Sequence, residues 1–186
     1  TQVRSERLRD SRIEKAYWII GWRVPPIGRK DYYALVVLDE ILGSGRTSLF
    51  YRELREKGLV HSFFAGDLGR PRDNLYVVSA TCQPEECDRV KKRVFELLKE
   101  LYESITEEEV ELAKERIINS RVFEEEKVEG EAYDIGYAYT VAKDIDLYRY
   151  FEHNLRKVRK VDVLKVLERY IIDKNYVEVL MLPDGG

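Results

Sequence analysis

The chain has 186 residues, of which 44% are hydrophobic and 11% aromatic, a content that excludes a disordered segment and suits one domain with its own core. Its 32 Lys and Arg against 35 Asp and Glu, a formal net charge of -3, leave no basic field for non-specific nucleic-acid binding. No apolar run approaches the ~20 residues that span a bilayer, and two cysteines cannot build a disulfide framework.

Residues 1–10, TQVRSERLRD, are charged rather than signal-like and read as a linker or leading segment before a single domain over 11–186. Ala16 to Val24 alternates as a strand, with Trp18, Ile20, Trp22 and Val24 on one face and the mixed set Tyr17, Ile19, Gly21 and Arg23 on the other. Pro25 and Pro26 end it, because neither can donate to a ladder. Asp31 is expected to cap a helix to Leu42 that carries Leu35, Leu38 and Leu42 on one stripe. Gly43-Ser44-Gly45 breaks that helix, and a second runs from about Thr47–Ser48 to Lys57, stopped by Gly58.

Two strands follow, Leu59–Leu68 and Leu75–Cys82, joined through Gly69-Arg70-Pro71-Arg72-Asp73-Asn74 as a hairpin. After Gln83-Pro84, the spacing of Val90, Val94, Leu97, Leu98 and Leu101 predicts a long amphipathic helix. Thr106 with Glu109 is a capping box opening the next. Helical patterns continue to Tyr170, with interruptions near Gly130 and between Asp144 and Leu147, and Val163, Val166, Leu167 and Tyr170 mark the last helix. Asp173-Lys174-Asn175 turns into a final strand, Tyr176–Leu182. This order predicts an α+β fold of two layers, a mostly antiparallel sheet covered by helices on one face. It lacks the alternation of a doubly wound sheet.

The chemistry available is narrow. A zinc site needs three or four His, Cys or carboxylate ligands, yet the histidines, His61 and His153, are far apart in sequence. Cys82-Gln-Pro-Glu-Glu-Cys87 has no second pair and reads as a strand end and a helix start. Gly43-Ser44-Gly45 could offer backbone donors to an anion, but it lacks the third glycine of a dinucleotide fingerprint and the Lys of a P-loop. A helix-break loop is the simpler reading. Neither histidine lies near a nucleophile elbow. The acidic run Glu124-Glu125-Glu126 with Glu129 and Glu131 reads as a solvated face, and Tyr133, Tyr137, Tyr148 and Tyr150 read as helix packing rather than a binding cage. Starting at Thr1 rather than Met, the chain is expected to be part of a longer protein. Four Asn and two Gln beside abundant Glu, Lys and Arg suit a thermophilic source, and equally any highly charged solvated surface.

One stretch stands apart: LGSGRTSLFYRELREKGLVHSFFA, Leu42 to Ala65. A Gly-rich break, a helix with Ser48-Leu49-Phe50, then Leu54-Arg55-Glu56-Lys57-Gly58-Leu59 entering a strand resembles the second-domain signature of the pitrilysin/insulinase family of zinc peptidases, which includes the processing-peptidase-like proteins. The family's stretch runs approximately Leu-Gly-Gly-Gly, Ser-Arg-Leu-Phe, Leu-Arg-Glu, Gly-Leu, Tyr-Ser. The leading strand with Pro-Pro, the helix of Asp31-Tyr-Tyr-Ala-Leu-Val-Val-Leu38 and the closing helix and strand extend the likeness over residues 11–182. The resemblance implies the LuxS/processing-peptidase-like metallohydrolase fold. In that family one domain carries the zinc motif His-x-x-Glu-His and a similar partner domain lacks it. This chain has no such motif and so resembles the non-catalytic domain, with zinc expected in the catalytic partner and no cofactor here.

The resemblance further implies one wall of a chamber that holds an extended peptide, a partner domain or subunit of the same family in a homo- or heterodimer, and no nucleic acid or membrane. The chain alone is then expected neither to hydrolyse peptides nor to hold zinc. Arg55 falls where the family places a substrate-contacting Arg, and His61 where it places a Tyr, with the spacing one residue shorter than in many members. A tyrosine O–H donates to an oxyanion at any working pH, whereas an imidazole's donation changes near pH ~6.5. The competing readings are an ion pair with a neighbouring Glu for Arg55 and a half-buried strand histidine for His61. A structural or interaction module without peptidase role, such as an inactive core-type subunit, is the alternative at the level of the whole domain.

Overall fold

The computed structural model describes residues 3–125 and 128–184. Five strands, β1 (Arg4–Asp10), β2 (Ala16–Val24), β3 (Ser62–Asp67), β4 (Asn74–Cys82) and β5 (Tyr176–Pro183), form one sheet in the order β1-β5-β2-β4-β3. β1 lies parallel to β5, and every other neighbour is antiparallel. The helices are α1 (Tyr32–Gly43), α2 (Cys87–Ser104), α3 (Glu107–Glu125), α4 (Val128–Tyr137), α5 (Asp146–Arg149), α6 (Phe151–Arg156) and α7 (Lys160–Val166). π-helical turns at Tyr51–Arg55, Ala138–Ala142 and Leu167–Ile171 interleave with them. This is the α+β arrangement the element order predicts, with helices on one face of a mostly antiparallel sheet.

The alternation in β2 decides which face is covered. Ala16, Trp18, Ile20, Trp22 and Val24 are all buried, opposite Tyr76, Val78, Ala80 and Cys82 of β4. α1 contributes Leu35, Leu38 and Leu42 to this core, and α2 contributes Val90, Val94, Leu97, Leu98 and Leu101. Burying side chains of this size stabilises by ~1.5–3 kcal/mol each before entropy is subtracted. Trp18 Nε1–H donates to Glu178 Oε1 at 2.7 Å, and Lys91 Nζ donates to Glu178 Oε2 at 2.7 Å. One buried carboxylate thereby ties β2, β5 and α2. Burial pushes the Glu178 carboxyl up, but the Lys91 and Trp18 donors outweigh it and hold it below the usual range. The uncovered face keeps Tyr17, Ile19, Phe64 and Val177 exposed.

Several local expectations change. Residues 4–10, expected to be a linker, form edge strand β1: six of its seven residues are exposed, so no hydrophobic period betrays it. Charged side chains on a sheet edge deter pairing with other chains. Asp31 does not cap α1 with its side chain. Its backbone is already helical, and its carboxylate instead accepts from Tyr170 Oη–H at 2.8 Å and Arg169 at 3.4 Å. The interruption expected near Gly130 falls just before it: α3 is described to Glu125 and α4 from Val128, and Gly130 in the first turn of α4 comes too close to the Glu124 carbonyl for a Cβ. The capping box at Thr106 does form: Glu109 N–H donates to Thr106 Oγ1 at 3.2 Å and Thr106 N–H to Glu109 Oε2 at 2.8 Å. Of the acidic run, Glu126 lies outside the described residues, while Glu124, Glu129 and Glu131 are exposed.

Candidate functional site

The stretch from Gly43 to Ser62 crosses the molecule between α1 and β3. Gly43 ends α1 against β3 so closely that a Cβ would lie 2.5 Å from the Ala65 carbonyl oxygen. Only glycine permits that approach. Gly45 follows with φ +70°, a conformation open to glycine at no steric cost. The buried Ser48 hydroxyl donates to the Gly45 carbonyl at 2.9 Å, closing the Gly43-Ser44-Gly45 loop on itself. The loop is thus tied to its own chain, with packing accounting for Gly43 and backbone conformation for Gly45.

The helix that follows is wound as a π-turn over Tyr51–Arg55. Buried Leu54 accepts from Leu59 N–H at 2.9 Å and Val60 N–H at 3.3 Å, and Gly58 takes φ +72° between them. Two buried residues, Leu54 and Val60, therefore hold both ends of a tight turn. Each is followed by an exposed residue: Arg55 after the first, His61 after the second. The Arg55 guanidinium makes no side-chain hydrogen bond or ion pair among the described residues. The neighbouring Glu53 is occupied by Lys57 at 2.7 Å and Arg93 at 2.8 Å, and these two hold its carboxyl below the usual range. His61 donates its backbone N–H to Thr81 at 2.7 Å, extending the β3–β4 ladder by one residue. Its ring Nε2 stands 3.4 Å from Gln83 Nε2. It is exposed, not half-buried. The other histidine, His153, lies on α6 and is also exposed.

A half-buried acidic pair underlies the hairpin, and the sequence reading missed it. Asp39 of α1 accepts the backbone N–H of Asp67 at 3.2 and 3.3 Å. Asp67 accepts from Gly69 N–H at 2.7 Å and from the Asn74 amide, which also donates to the Pro25 carbonyl at 3.0 Å. Burial pushes both carboxyls up, and for Asp39 the charge of Asp67 adds to it. The signal was available: Asp39 stands between Leu35 and Leu42 on the stripe that faces the core. Tyr137 Oη–H reaches the Gly69 carbonyl from α4. Of the four tyrosines read as packing, Tyr133, Tyr137 and Tyr148 line a cavity of about 380 Å3. The Arg121 guanidinium sits in it, 4.9 Å from the Tyr148 ring centre and 4.6 Å from that of Phe151, so the aromatic rings already hold a cation.

Among the described residues no three or more His, Cys, Asp or Glu side chains gather as metal ligands. An exposed Arg and His framing a braced turn can donate hydrogen bonds to a passing backbone.

Comparison with known proteins places the domain. An uncharacterized zinc protease of Mycobacterium tuberculosis is 28% identical over 178 residues, covering 93% of this chain and 40% of its own length. The chain therefore spans less than half of that relative. The crystal structure of a protease from Helicobacter pylori superposes with a TM-score of 0.89 at 22% identity, covering 97% of this chain and 44% of that one. The inactive peptidase domain of a putative zinc protease from Bordetella parapertussis superposes with a TM-score of 0.79 at 18% identity, covering 90% of this chain and 92% of that one. At these identities the superpositions establish the fold. A family model described as the peptidase M16 inactive domain matches residues 2–117, more than half of the chain, and by that match the chain belongs to the inactive-domain family of the M16 zinc peptidases.

Proposed function

We propose that this domain binds and orients an extended peptide for a zinc-bearing domain or subunit of the same family, forming one wall of the chamber in which that partner cleaves it. The observation that carries the reading is Arg55, a guanidinium with no partner among the described residues, on a turn fixed by buried Leu54 and Val60. Arg offers five donors in a planar fork and stays charged at every working pH. Peptide carbonyls are acceptors with two lone pairs, so Arg55 suits a substrate backbone without regard to its side chains. His61, across the same turn, adds a second donor. Holding the peptide in register accelerates the partner's chemistry by removing orientational freedom before the reaction.

The test uses the protein that carries both domains. A hydrogen bond from a charged group contributes about 1.5–3 kcal/mol, so Arg55→Ala should lower peptide kcat/KM about 10- to 150-fold. Arg55→Lys should recover part of that, and zinc content and thermal stability should not change. Unchanged kinetics in Arg55→Ala would remove the residue from the site. The isolated chain, dialysed against zinc and then buffer, should retain none; one tightly held equivalent would contradict the assignment of zinc to the partner.

A further inference from the structure

We infer that Cys82 and Cys87 form a reversible intramolecular disulfide, a covalent clasp between the end of β4 and the first turn of α2. The two Sγ atoms are 3.1 Å apart and need to close only to the ~2.05 Å of a sulfur–sulfur bond. The intervening Gln83–Glu86 segment is a single short turn, with Pro84–Glu86 wound as a 3-10 helix. Both backbone ends are fixed: Cys82 pairs with Ala16 in the sheet, and Cys87 begins an 18-residue helix. The approach is therefore built by the fold rather than by a mobile loop.

The two sulfurs are not equivalent. Either sulfur can donate to the other, and the contact with Cys82 pushes the Cys87 thiol down despite burial. Cys82 is pushed up by the same contact and by burial. Cys87 Sγ also lies 3.6 Å from the Gln83 carbonyl oxygen. Cys87, which begins α2 where helix N-terminal N–H groups favour a thiolate and which is 4% exposed against 0% for Cys82, is thus the attacking thiol and Cys82 the resolving one. With a small-molecule disulfide such as oxidised glutathione, the Cys87 thiolate attacks one glutathione sulfur and releases the first glutathione thiolate. Cys82, losing its proton to that thiolate, then attacks Cys87 Sγ and releases the second. Two protein thiols and one oxidised glutathione become one protein disulfide and two reduced glutathiones. No third or fourth ligand accompanies the pair among the described residues, which sets it apart from a metal site. Its position also matters: Thr81 and Gln83, on either side of Cys82, are the groups that touch His61, so the clasp fixes the turn beneath the proposed peptide site.

Chains of nearly the same length have been crystallised as isolated domains, so the purified chain is the material to test. It is equilibrated with reduced and oxidised glutathione at graded ratios, quenched in acid, alkylated and weighed intact, with peptide mapping of the product. The expected result is a monomer lighter by two hydrogens, both thiols lost together, a Cys82–Cys87 cross-linked peptide, and full reversal by dithiothreitol. Cys82→Ser should stop at a glutathione adduct on Cys87, and Cys87→Ser should leave Cys82 unmodified, with circular dichroism showing both variants folded. Two thiols still alkylated after oxidised glutathione would overturn the inference. So would a cross-link only between chains, or one that forms only in urea.

Discussion

Replacing Lys91 with Met tests the carboxylate that joins β2, β5 and α2. The Glu178 side chain is 5% exposed and that of Lys91 32%, so the two partners differ in what is left behind. Lys91→Met strands a charge away from water with Trp18 and Ser5 as its remaining donors. Breaking a buried pair this way costs about 3–5 kcal/mol, or roughly 6–20 °C in Tm at about 2–4 °C per kcal/mol for a domain of this size. Glu178→Gln strands an ammonium that water already reaches and should cost about 1–3 kcal/mol. Acid titration separates the cases further. In the parent, Glu178 titrates below its usual range, so its stabilisation is present above pH ~4.3 and lost as pH falls through the depressed value. In Lys91→Met only Trp18 and Ser5 still oppose burial and the carboxyl rises, so that variant gains stability as pH falls from neutrality and the gap to the parent narrows. Urea unfolding of the three proteins at pH 7 and pH 4 reads this directly. A Lys91→Met cost no larger than that of Glu178→Gln, or a gap that does not shrink in acid, refutes the reasoning.

Two further outcomes follow from the region around the proposed site. Gly43→Ala would place a Cβ 2.5 Å from the Ala65 carbonyl oxygen, and prying α1 from β3 should cost about 1–3 kcal/mol, read by thermal melting. Asp39 carries a folded-state carboxyl raised above the ordinary value, so the folded protein holds a proton that the unfolded chain releases. Stability should therefore fall as pH rises from the usual carboxylate range through that raised value. Asp39→Asn, which keeps an acceptor for the Asp67 N–H, should flatten the decline; an unchanged pH profile in chemical denaturation would place the titration elsewhere.

What could be read from the chain alone tracks how strongly burial imposes a period. β2 and α2 show their faces plainly because five buried positions recur in β2 at spacing two and six in α2 at helical spacing. The Thr106 box is legible because both of its bonds are local. β1 was missed for the opposite reason: an exposed edge strand has no buried face to repeat. Asp31 misled because capping chemistry is a property of the residue type, whereas its partner, Tyr170, comes from the far end of the chain. Asp39 on the core stripe was a legible signal, but its partner was not, since the Asp39 carboxylate meets the Asp67 N–H only once α1 packs on β3. Arg55 and His61 were singled out by likeness to a family pattern. Their composition and spacing carry no such mark, and the brace of Leu54 and Val60 behind them is visible only in three dimensions.

β5 occupies an interior place in the sheet although it is the last strand of the chain, and its neighbours β1 and β2 are the first two. Until β5 has been synthesised and docked, β1 has no partner strand and one edge of β2 lies bare. Assembly of the sheet must then wait for residues 176–183, which makes the domain's folding late and dominated by contacts between segments distant in sequence. Chains halted before Tyr176 should remain chaperone-dependent, however well α1 and α2 have formed.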